Sequence, residues 1–68
     1  MVNVYYLWFN LETNQYLDED QLLVKDYNKG LKFHSKESAL NFMNTNEKEI
    51  SRVGSDWTTR EFFRTSLN

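Results

Sequence analysis

The 68-residue chain contains no cysteine, no proline, one histidine and two glycines. Without cysteine it has neither a disulfide framework nor a thiolate zinc site, the two devices that most often supplement the core of a very short domain. Gly30 and Gly54 stand too far apart to form a glycine-rich phosphate loop. A basic excess is missing as well. Eight Lys and Arg against ten Asp and Glu give a net charge of −2, which leaves nothing overall to neutralise nucleic-acid phosphates. No apolar run approaches the roughly 18 residues that span a bilayer, and the N-terminus shows neither the basic start nor the small-residue cleavage site of a signal peptide. The expectation from these absences is a soluble cytoplasmic protein with no membrane partner.

What is present is aromatic. Hydrophobic residues make up 40% of the chain and 11 residues are aromatic, 5 Phe, 4 Tyr and 2 Trp, which is enough apolar surface to drive folding of one small domain over residues 1–68. A chain of this length buries only about 60% of its unfolded surface, and its own core rarely supplies more than about 3–5 kcal/mol. Stability therefore has to come from good local structure, a second copy or a binding target. Charge is unevenly spread: residues 1–20 hold Glu12, Asp18, Glu19 and Asp20 and no Lys or Arg, whereas residues 21–68 hold all eight basic residues and six acidic ones.

From Val2 to Leu11 the residues are β-branched and aromatic and read as a strand. Its two faces are Val2, Val4, Tyr6 and Trp8, and Tyr5, Leu7, Phe9 and Leu11. Neither is polar, so the strand is either central or presents an aromatic face to a partner. Glu12–Gln15 is a turn in which Asn14 can take a positive φ, and Tyr16-Leu17 resumes the run as a hairpin ended by Asp18-Glu19-Asp20. Leu22–Val24 and Leu31–Phe33 read as short strands around the turn signal Asn28-Lys29-Gly30. Ser35 is placed to cap a helix from Lys36, with Ala39, Leu40, Phe42 and Met43 as its apolar stripe. Asn44-Thr45-Asn46 ends that helix, and Ile50 and Val53 favour a short second one. Beyond Gly54, Thr58 and Glu61 form a capping box with Trp57 and Phe62 as staple, which predicts a helix. The strand propensity of Trp57–Thr59 and Phe62-Phe63 leaves a terminal hairpin as the alternative. The expected class is α+β: a small antiparallel sheet from residues 2–33 packed by one main helix and a short C-terminal helix, with residues 57 onward more helical than extended.

Chemistry-bearing residues are few. His34 could act as a base toward Ser35 or Ser38, but no oxyanion elbow surrounds them, so no enzyme is expected. Asp18, Glu19 and Asp20 lack the spacing of a calcium loop, and no metal or cofactor is expected. The informative feature is the aromatic excess on a two-faced strand. Helices cover one face of a small sheet; the other is either buried by the C-terminal aromatics Trp57, Phe62 and Phe63 or open to a partner. The partner-binding candidates are Tyr6, Trp8 and Tyr16 on the aromatic hairpin and Asp18, Glu19 and Asp20 at its acidic edge, for a protein partner or a second copy. Single-stranded nucleic acid stacking on the same aromatics is the alternative, opposed by the acidity of that part of the chain.

The Tyr5–Asn10 strand, its Asn-containing turn, Tyr16-Leu17-Asp18 and the stretch from Leu31 to Phe42 together resemble small phage and prophage accessory proteins. The resemblance implies a non-enzymatic protein that binds and modulates or inhibits a host protein, such as a defence nuclease of the CRISPR effector type. It transfers no binding residues.

Overall fold

The computed structural model describes residues 2–65, and the side chains of Val2 and Thr65 lie outside what is described. Strand β1 (Val2–Asn10) turns into β2 (Gln15–Leu17), followed by β3 (Leu23–Val24) and a single 3-10 turn (Tyr27–Lys29). Helices α1 (Lys36–Thr45) and α2 (Glu47–Ser51) come next, and β4 (Trp57–Thr65) ends the described chain. The sheet order is β3-β2-β1-β4 and every pairing is antiparallel. The α+β class expected from the sequence is the class observed: an antiparallel sheet, one main helix and a short second helix.

β1 is central because both of its faces are apolar. The turn that sends it back into β2 has Asn14 at φ 57, the positive value its short polar side chain tolerates. Asp18 Oδ1 accepts from the amides of Asp20 (2.8 Å) and Leu22 (2.9 Å) and so shapes the next turn into β3. The reading of Leu31–Phe33 as a strand reduces to one bridge between Phe33 and Tyr6.

α1 begins where Ser35 places its oxygen 3.1 Å from the Ser38 amide, and Glu37 lies in the first turn, at the positive end of the helix dipole. The buried stripe is narrower than the sequence pattern implies. Ala39 is fully buried and Phe42 and Met43 pack on the core, but Leu40 is 46% exposed, one position off the contact line. Trp8, Leu17, Ala39 and Ile50 form the centre of this helix-side core, and the Trp8 indole N–H donates to the Ala39 carbonyl at 2.9 Å.

The C-terminal portion departs from expectation. Residues 57–65 form a nine-residue strand paired with β1 from Val2↔Thr65 to Asn10↔Trp57, so it is neither the capped helix nor a terminal hairpin. The capping box at Thr58 and Glu61 offers about 1 kcal/mol, and an isolated helix this short is marginal. The strand instead supplies hydrogen-bond partners along a whole side of β1, whose backbone would otherwise be left unpaired beside a buried core. Long-range pairing overrides the local signal.

The α1 cap is the simplest element to test. Replacing Ser35 with Ala should lower stability by about 1 kcal/mol in urea denaturation with an unchanged m-value.

Candidate functional site

The sheet face turned away from the helices carries Leu7, Phe9 and Tyr16, all buried, with Tyr5, Val24 and Phe62 packed around them. The C-terminal segment does not form a separate layer over this face; as β4 it lies within the sheet and contributes Phe62 and Arg60 to the face. The chain between β3 and α1 covers it: the Tyr27 ring stacks on Phe62 with centroids 4.9 Å apart and planes at 4°. Gly30 lies so close that a Cβ there would stand 2.6 Å from Leu7 Cδ2. The Leu31 amide then donates to the Leu17 carbonyl at 2.9 Å. Phe9 is roofed by the Arg60 guanidinium, 3.7 Å above its ring centroid.

These contacts redistribute the residues singled out from the sequence. Trp8 and Tyr16 are 6% and 8% exposed and belong to cores on opposite faces, so the exposed hairpin platform of Tyr6, Trp8 and Tyr16 does not form. Tyr6 is half-buried beside the helix-side core. Asp18 is half-buried and committed to its turn, while Glu19 and Asp20 are exposed in that turn at the β2–β3 end of the sheet. His34 is exposed against the Tyr5 ring, and the Ser35 oxygen is engaged by the Ser38 amide and hydroxyl.

What the structure assembles instead lies along β4. In an antiparallel strand the N–H and C=O of one residue point to the same side, and successive residues alternate. Tyr6 exchanges both of its backbone bonds with Phe33 at 2.9 Å, away from β4, so Tyr5, Leu7 and Phe9 are the residues that face β4. Their cross-strand partners Phe62, Arg60 and Thr58 point back at β1. Thr59, Glu61 and Phe63 are left with amides and carbonyls directed outward from the last strand of the sheet. Among the described residues no backbone hydrogen bond outside the β1 ladder reaches β4, and Phe63 is 68% exposed.

Beside this edge the face carrying Thr58, Arg60, Phe62 and Arg64 is basic and aromatic. Tyr5, Tyr27, Phe62, Lys32 and Arg64 line a cavity of about 280 Å³. Sequence reasoning missed this group. Its signal is the period-2 alternation of Thr58, Arg60, Phe62 and Arg64, which becomes visible once residues 57–65 are read as a strand.

A buried amide holds β4 in position. Asn10 is fully buried; its Oδ1 accepts from the amides of Glu12 and Thr13, both at 3.0 Å, and its Nδ2 donates to the Ser55 carbonyl at 2.7 Å. One side chain thus ties the β1–β2 turn to the entry of β4. Gly54 is needed there because a Cβ would strike Asn10 Nδ2. Trp57 closes the corner by donating its indole N–H to the Gly54 carbonyl at 2.9 Å.

Comparison of the chain with protein-family models, curated proteins and solved structures returns no match. Among the described residues no helix is long and apolar enough to cross a membrane.

Asn10→Ala leaves three backbone groups without their partner and should cost about 1–3 kcal/mol in urea denaturation. Gly54→Ala should also destabilise, and less so in the Asn10→Ala background, where the clash is relieved. Strict additivity of the two costs would show that the steric account of Gly54 is wrong.

Proposed function

We propose that this chain is a non-enzymatic protein-binding module whose binding element is the outer edge of β4. The single observation behind the reading is a nine-residue edge strand with outward backbone groups at Thr59, Glu61 and Phe63 and a large exposed aromatic ring among them. Edge strands are normally blunted by shortness, charge, bulges, proline or cover, because an open edge templates pairing with another chain; β4 carries the charges of Arg60, Glu61 and Arg64 but is long, free of proline and unbroken in its register with β1. Such an edge suits strand addition: main-chain hydrogen bonds supply affinity and alternate side chains supply specificity. A modulator or inhibitor of a host protein, as the phage-protein resemblance implies, would act in this way by occupying a segment that its target needs.

Single-stranded nucleic acid remains the second reading, favoured by one observation: β4 carries Arg60 and Arg64 on the same face as the Tyr5, Tyr27 and Phe62 rings. Binding of a labelled oligothymidylate that weakens steeply with salt would support it.

The edge reading is tested by Glu61→Pro. Proline at an outward position removes one exposed N–H and blocks an incoming strand while leaving the β1 ladder its donors. The variant should melt within a few degrees of wild type and lose the partner that the wild-type chain captures from its native cell. Equal capture by a folded Glu61→Pro protein would overturn the reading.

A further inference from the structure

The chemistry of the strand that this edge accepts can be read from β4, and the inference rests on the edge-binding reading above. Arg60 and Arg64 share one face of β4 with Phe62 between them, while Glu61 and Phe63 lie on the other face. The two arginines are four residues apart, about 13 Å along a strand. The Arg60 guanidinium carbon sits 3.7 Å above the centre of the Phe9 ring, and a guanidinium held over an aromatic face keeps N–H groups with which to donate. Arg64 lines the cavity beside Tyr5 and Lys32.

We infer that the β4 edge is built for an extended acidic peptide added antiparallel, with the five-residue pattern acidic, apolar, apolar, basic, acidic. In that register the first acidic residue opposes Arg64, the two apolar residues oppose Phe63 and Phe62, the basic residue opposes Glu61, and the last acidic residue opposes Arg60. Directly opposed residues share a face in an antiparallel pair, so each match places complementary side chains side by side. Opposite charges at such positions favour pairing and like charges oppose it.

A second copy of the chain fits this edge poorly. Two β4 edges related by a twofold axis pair only in registers centred on a residue, since each face must continue onto the same face of the partner. Centring on Glu61 opposes Glu61 to itself, centring on Arg60 opposes Arg60 to itself, and centring on Phe62 opposes Arg60 to Arg64 twice. Each of the three longest overlaps therefore carries a like-charge pair. An acidic strand meets no such penalty.

The experiment uses fluorescein-labelled heptapeptides with Thr at each end, one with the core Glu-Val-Val-Lys-Glu and one with the charges reversed, Lys-Val-Val-Glu-Lys. Fluorescence anisotropy with the wild-type chain should show the first binding about tenfold or more tightly, with an affinity that falls as salt is raised. Arg64→Glu, at an exposed position, should abolish that preference, and Glu61→Pro should remove binding of both peptides. Equal affinity for the two peptides would overturn the acidic-strand inference and leave strand addition standing. No binding of either at millimolar concentration would overturn the inference as well, while the capture comparison of wild type with Glu61→Pro still decides the edge reading by itself. Stronger binding of a short oligothymidylate than of the acidic peptide would overturn it in favour of nucleic acid. Dimerisation that the acidic peptide cannot disrupt, detected by sedimentation, would overturn it in favour of a second copy.

Discussion

The nine-residue antiparallel ladder between β1 and β4 is the interaction on which the rest of this structure depends. β1 is apolar on both faces, so its backbone runs through the middle of the molecule and must be paired on both sides. On one side the demand is met piecemeal by β2 and by the Phe33 bridge to Tyr6. On the other it is met by β4 alone. The Asn10 amide, anchored to Ser55 at the mouth of this ladder, sets where β4 begins and hence its register.

Pairing β1 in the middle creates two small cores rather than one. Helices α1 and α2 seal the Trp8 side, and the Tyr27–Leu31 stretch seals the Leu7 and Phe9 side. A chain without disulfides or metal thus recovers burial by laying a loop over the second face. Arg60, placed over Phe9, also serves twice, since its head shields an aromatic ring while remaining able to donate hydrogen bonds.

Much of this architecture is legible in the order of residues. The central strand, the Asn14 turn, the Ser35 cap, the break at Asn44–Asn46 and the short second helix each rest on local chemistry, which acts the same way inside and outside a fold. Residues 57–65 are not legible in that way, because Thr58 and Glu61 make a good local cap while the competing strand draws its stability from β1, more than forty residues away. The candidate site is misread for the same reason. With residues 57–65 taken as a helix, Tyr6, Trp8 and Tyr16 look like an open platform, and Arg60, Phe62 and Arg64 have no sheet to belong to. Burial of Trp8 and Tyr16 on opposite faces follows from β1 being enclosed, which depends on partners that are remote in sequence.

The proposed function depends on one physical condition: β4 is paired on its inner side only. Residue-resolved amide hydrogen exchange across Trp57–Thr65 tests it most directly. Alternation is predicted in the free protein, with slow exchange at Thr58, Arg60, Phe62 and Arg64, whose amides point at β1, and fast exchange at Thr59, Glu61 and Phe63, whose amides point outward. Slow exchange at all seven positions would mean that the outer edge is already occupied or that the segment is helical, and either result would contradict it.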